Sequence, residues 1–156
     1  MRESLSLSAS PIPTIPTIRA RRGAAGAAMS SVLLSAVLLV AAVVDQAGGQ
    51  SLVDHAAAVY GPYGKEADPN LLYGLVYTVA VVDALLSLLV FRAAWAHRRS
   101  APILAVTTVV VTAALAVLLL ATTEYGAQIF PPVWGVLALL PAAAGIVTSA
   151  LLLRRR

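Results

Sequence analysis

The sequence predicts an all-α fold: an antiparallel four-helix transmembrane bundle with one longer outer loop carrying a short helix. Three observations lead there. Apolar residues make up 60% of the 156-residue chain and charged residues 12%, against roughly 45–50% and about 25% in soluble domains. A chain of that composition cannot cover its apolar surface with its own polar groups, so lipid must cover it. Four long runs are free or nearly free of charge, and the basic residues between them form clusters that share one side only if the number of spans is even.

Residues 1–22 read as a disordered cytoplasmic tail. Pro11, Pro13 and Pro16 are closely spaced among Ser and Thr, which favours extended backbone over helix. The first uncharged run, Ala24–Val44, is about 31 Å long as a helix, enough for the ~30 Å hydrocarbon core. A signal peptide would have an apolar region of only ~7–15 residues, so this run predicts an uncleaved helix over 24–44. The second run, Leu71–Phe91, is broken only by Asp83 and predicts a helix over 71–93. The third and fourth predict helices over 102–122 and 131–153, with 154–156 as a basic end. Pro102, Pro131 and Pro132 fit helix starts, where a missing N–H costs nothing. Pro141 falls inside the fourth helix and predicts a kink.

Orientation follows from charge. Arg19, Arg21 and Arg22 precede the first helix, Arg92, Arg98 and Arg99 separate the second and third, and Arg154–Arg156 close the chain. The opposite side holds Asp45, Asp54, Glu66, Asp68 and Glu124 against the lone Lys65. The positive-inside rule then makes both termini cytoplasmic and predicts a multi-pass protein of the cell inner (plasma) membrane. Tyr73, Tyr77, Tyr125, Phe130 and Trp134 fall near the outer interface, and Phe91 and Trp95 near the inner one, the depths that amphipathic rings prefer.

The first outer loop, Asp45–Asn70, contains a candidate helix over Ser51–Tyr60. Ser51 and Asp54 have capping-box spacing, and Leu52, Ala56, Val59 and Tyr60 share one face that would lie on the membrane or cap the bundle. Gly61-Pro62-Tyr63-Gly64 reads as a turn.

Two sets of residues carry candidate chemistry. Asp83 lies near the middle of the second helix, where a carboxylate costs roughly 2.5–3.5 kcal/mol. It is expected to face the bundle, protonated or hydrogen-bonded, on one face with Val76, Ala80, Ser87 and Val90. Ser31 and Ser35 of the first helix and Thr108 and Thr112 of the third lie at similar depth and are its expected partners. This intramembrane polar site is either a proton- or cation-binding site or a neutral lock between helices. The second set is a candidate outer interaction surface of Asp54, His55, Tyr63, Glu124 and Tyr125. Small residues at four-residue spacing (Ala27-Ser31-Ser35, Ala101-Ala105, Pro141-Gly145-Ser149) read as close helix packing.

Other classes are not supported. The absence of Cys removes disulfides, thiolate metal sites and thiol nucleophiles. There is no G-x-S-x-G elbow, no second outer His to complete a metal set, and no basic face with interleaved aromatics for nucleic acid. No cofactor and no metal are expected, and the expected partners are the lipid bilayer and a protein partner or a second copy.

Asp54-His55, Tyr60-Gly61-Pro62-Tyr63-Gly64, Asp68-Pro69 with Leu72-Tyr73, Glu124-Tyr125-Gly126 and Leu140-Pro141 together resemble the pattern of a group of small bacterial four-helix integral membrane proteins that carry no assigned activity. The resemblance implies the same topology and places the group's character on the outer face; it transfers no function. Small multidrug transporters use an acidic residue in their first helix, and the first helix here has none. The sequence therefore leads to a non-enzymatic accessory or interaction protein, with a small coupled transporter centred on Asp83 as the rival reading.

Overall fold

A computed structural model of the chain describes residues 15–154, with side chains from Arg22 onward. The helices are α1 (Ile15–Val44), α2 (Ser51–Tyr60), α3 (Pro69–Trp95), α4 (Ala101–Ala121) and α5 (Pro132–Leu153). A two-stranded antiparallel hairpin, β1 (Thr123–Glu124) and β2 (Ala127–Gln128), joins α4 to α5. Four helices, α1, α3, α4 and α5, are long and apolar enough to cross a membrane. They form a ring in which α1 packs on α3 and α5, and α4 packs on α5 and, more sparsely, on α3.

The inward faces do not follow a polar–apolar division, because the outer faces meet lipid. Size divides them instead. The buried stripe of α1 is Ala24, Ala28, Ser31, Ser35, Leu38 and Ala42, and that of α4 is Ala101, Ala105, Thr108, Thr112, Ala116 and Leu119. Large residues such as Leu33, Val40, Leu85, Val110 and Ile146 point outward. Steps of three and four keep each stripe on one face, the pattern of left-handed bundle packing. Apolar burial gives no drive between helices in lipid, so close backbone approach through small residues replaces it. Gly135 marks the closest such approach: a Cβ there would sit 2.2 Å from the Leu120 side chain across the α4–α5 contact.

Buried residues form two apolar clusters with a polar belt between them. One cluster, at the acidic end, includes Leu38, Leu52, Tyr73, Val76, Phe130 and Trp134. The other, at the end carrying Arg22, Arg92, Arg98, Arg99 and Arg154, is built from small residues such as Ala24, Ala28, Ala94 and Ala101. The buried polar side chains Ser31, Ser35, Asp83, Ser87, Thr108, Thr112 and Thr148 fall between them.

The structure corrects two expectations. Helix α1 begins at Ile15, inside the segment expected to be a disordered tail. Pro16 is its second residue, where the missing N–H breaks no intrahelical bond, and the Arg-Ala-Arg-Arg stretch favours helix. Residues 1–14 lie outside those described. Helix α2 has the expected bounds but no capping box: Gln50 is its N-cap residue, with no side-chain cap bond. Its first amides instead find Asp45, whose Oδ1 accepts from Ser51 N–H (3.0 Å) and Oδ2 from Leu52 N–H (3.2 Å). Helix α5 runs through Pro141 without interruption.

Candidate functional site

The acidic end is built outward from Asp45. Helix α1 widens there into one π turn, Asp45–Gly49, closed by Gln50 N–H on the Asp45 carbonyl (2.6 Å). Gln50 then takes the left-handed conformation (φ 47°) and turns the chain into α2. Besides capping α2, the Asp45 carboxylate accepts the buried Tyr73 hydroxyl at 2.7 Å. One side chain thus ties α1, α2 and α3 together. Tyr77 of α3 adds a bond to Gln46. Leu52 and Ala56, both fully buried, seat α2 on the end of the bundle.

The hairpin meets α2 and the turn that follows it. Thr123 pairs with Gln128 and Glu124 with Ala127, which leaves Tyr125-Gly126 as a two-residue turn. Both have positive φ, 52° and 79°, the signature of a type I′ turn that usually takes Asn-Gly. A tyrosine in the left-handed region costs roughly 1–2 kcal/mol, and its side chain makes contacts that offset this. The ring stacks on Tyr63 (centroids 4.1 Å apart, planes at 22°) and meets Tyr60 edge-on at 5.9 Å. Lys65 Nζ donates to its hydroxyl at 2.5 Å. Tyr60 in turn donates to Glu124. His55 Nε2 lies 3.1 Å from the Gln128 carbonyl; a carbonyl only accepts, so that nitrogen carries the proton.

The electrostatics follow these bonds. Donation to Glu124 pushes the Tyr60 hydroxyl up to about 12. The hydrogen bond to Tyr125 raises Lys65 above the usual lysine range. Both groups are held in their protonated forms at neutral pH. Tyr63 and Tyr125 nonetheless stay 54% and 41% exposed, so the pair is fixed in place and still presents ring surface to the surroundings. Of the residues singled out in the sequence, His55, Tyr63, Glu124 and Tyr125 are brought together here. Asp54 is exposed on α2. Among the described residues no three His, Asp or Glu side chains converge as a metal-binding group would.

Sequence reasoning missed Asp45, Tyr60, Lys65 and Tyr73 as parts of this surface. Two signals were available. Lys65 is the one Lys among ten Arg, and Tyr125-Gly126 is a two-residue turn in the shape of Asn-Gly. The Asp45–Tyr73 bond spans 28 residues, and no local pattern announces it.

The intramembrane belt is different. Asp83, Ser87, Ser35, Thr108 and Thr112 are all buried, as is Ser31. Ser31 Oγ donates to the Pro141 carbonyl (2.9 Å), so the 2.9 Å contact between Ser31 and Ser87 has Ser87 as donor. That chain links α3, α1 and α5. Ser35 and Thr112 turn back onto their own helices, to the carbonyls of Ser31 and Val109. None of these hydroxyls reaches Asp83. Both its carboxyl oxygens, and Thr108 Oγ1, have no protein group at hydrogen-bonding distance. Ser31, Ser87, Thr108 and Thr148 line a cavity of about 10 Å³, room for about one water molecule.

No family model, curated protein or solved structure matches the chain.

Proposed function

We propose that this multi-pass membrane protein is a non-enzymatic interaction subunit whose acidic end docks a cationic segment of a partner protein outside the cytoplasm. The reading rests on Tyr125. A bulky residue is held in a left-handed turn position, and strain of this kind clusters at working surfaces. The ring is stacked on Tyr63 and part-exposed, and it already holds one cation, the Lys65 ammonium 5.2 Å from its centroid, beside the Glu124 carboxylate; aromatic faces and carboxylates of this kind suit guanidinium and ammonium groups. Five carboxylates on that side against one Lys give it the matching charge. The Arg clusters at the other end support, by the positive-inside rule, an orientation with both termini cytoplasmic, and the reading takes the membrane to be the cell inner membrane. The motifs that carry the resemblance to small four-helix membrane proteins are concentrated at the same acidic end.

The test is photo-crosslinking in native membranes from Tyr63 replaced by a photoreactive phenylalanine analogue. A discrete protein adduct is expected, and it should be lost in Glu124→Gln and in Tyr125→Asn, the second of which suits the turn conformation and keeps the hairpin. Absence of an adduct, or an adduct indifferent to both changes, overturns the reading.

A second reading, a small proton- or cation-coupled transporter, draws on one observation: the buried Asp83 carboxyl has no partner in the protein. Intramembrane acids mark ion pathways by default. In sealed liposomes this reading requires proton or cation flux that Asp83→Asn abolishes while the protein stays folded. Equal flux in both proteins excludes it.

A further inference from the structure

At the basic end, the short turn from Ala96 to Ser100 joins α3 to α4. Their contact is the sparsest of the four around the ring, and a crevice of about 340 Å³ opens between them. Small residues, Ala93 and Ala96, leave the space. Arg92, in the last turn of α3, and Arg98, in the α3–α4 turn, both line it, together with Ser100. No carboxylate lines it. Ser100 is the N-cap residue of α4 and makes no side-chain cap bond, so the helix N-terminus, with its partial positive charge, faces this region without a side-chain acceptor. The rest of the lining includes Leu89 and Leu104, and Leu89 is half exposed on the lipid-facing surface. Trp95, 68% exposed one turn beyond Arg92 and paired with Phe91 at 5.9 Å, sets the depth of the crevice at the headgroup level, where tryptophan concentrates.

We infer that this crevice holds the phosphate of an anionic phospholipid between Arg92 and Arg98, with an acyl chain descending past Leu89 and Leu104. Two guanidiniums, a free hydroxyl and a helix N-terminus select phosphate. The apolar lining selects a phosphate that carries hydrocarbon over a free ion. Basic pockets between spanning helices recognise lipid headgroups by this combination. The site is independent of the acidic end, 

and its test does not depend on which way the protein is inserted.

The experiment is native mass spectrometry of the full-length protein in a neutral detergent, titrated with phosphatidylglycerol and, separately, with phosphatidylcholine. Phosphatidylglycerol should bind as a discrete adduct in preference to phosphatidylcholine. Arg92→Gln with Arg98→Gln should weaken it by about tenfold or more, on the scale of two lost headgroup cations. Arg99→Gln, outside the crevice lining, should leave it unchanged. Helix content and unfolding midpoint are followed in each variant, and the Arg92→Lys/Arg98→Lys protein, which keeps the charge, should bind more tightly than the Gln pair. Equal binding of the two lipids, or equal binding by wild type and both double variants, overturns the inference. Displacement of the lipid by millimolar inorganic phosphate overturns the lipid as occupant and assigns the crevice to a soluble phosphate.

Discussion

The acidic end and the polar belt use polar side chains in opposite ways. At the acidic end Asp45, Tyr60, Lys65, Tyr73, Glu124 and Tyr125 all have partners, most of them on another element. In the belt, less than a helix length away, Asp83 and Thr108 have none within the protein, and several of the remaining hydroxyls turn back onto their own helix. The difference teaches how each region is held. Cross-element bonds fix the surface in one shape, which suits docking, although the buried Trp134 indole N–H beneath it has no partner in the protein. An unsatisfied carboxyl inside a bilayer stabilises nothing by itself, so the packing around it must carry the bundle.

The largest expected effect is at the acidic end. Asp45→Ala removes the acceptor of two α2 amides and strands the buried Tyr73 hydroxyl. A lost cap costs about 0.5–2 kcal/mol and a stranded buried donor about 1–3 kcal/mol. Unfolding in lipid should therefore show a loss of about 1.5–5 kcal/mol, with hydrogen exchange fastest in α2. If α2 stays protected, Asp45 is not the tie between the cap and the bundle.

Asp83→Leu tests the opposite region with the opposite sign. Replacing an unpartnered buried carboxyl by an apolar side chain of similar size should raise stability by about 1–3 kcal/mol. A fall in the unfolding midpoint would mean that the carboxyl bonds to something that stabilises the bundle, and would erase the contrast between the regions.

The smallest effect is a pH dependence confined to the acidic end. The folded-state value for Tyr60 is raised to about 12 by its bond to Glu124, above the ordinary tyrosine value of about 10. Its contribution is thus complete below about pH 10 and is lost as pH rises toward 12. Lys65 shifts in the same direction, so both fastenings of the hairpin weaken on the alkaline side. Tyrosinate absorbance and hairpin exchange should change together over that range in the wild type. Tyr60→Phe should flatten the Tyr60 part of the response, and an unaltered profile would place the titration elsewhere.

Much of this architecture was legible in the sequence, including details finer than the spans. The bounds of α2, its buried Leu52 and Ala56, and the Gly61–Gly64 turn follow from local spacing and turn chemistry. The inward face of α3 was legible because Asp83 fixes its phase, and Val76, Ala80, Ser87 and Val90 are indeed buried with it. The stripe of α1 was placed less well: Ala24, Ala28, Ser31 and Ser35 line the core, whereas Ala27 is only half-buried. With apolar residues all round, small residues occur on more than one face, and only the neighbours select among them.

What the sequence by itself determined is what depends on one segment at a time: four spans, their alternation, the short helix and the separation of acidic from basic ends. These follow from hydrocarbon thickness, helix rise and the cost of charge in lipid, none of which needs a partner. Tertiary structure alone decided that Asp45 caps α2 and holds Tyr73, that Tyr125 stacks on Tyr63, that the belt hydroxyls pass Asp83 by, and that Arg92 and Arg98 line one crevice. Each of these depends on distances between segments far apart in the chain, and such distances are set by how the four helices pack against one another.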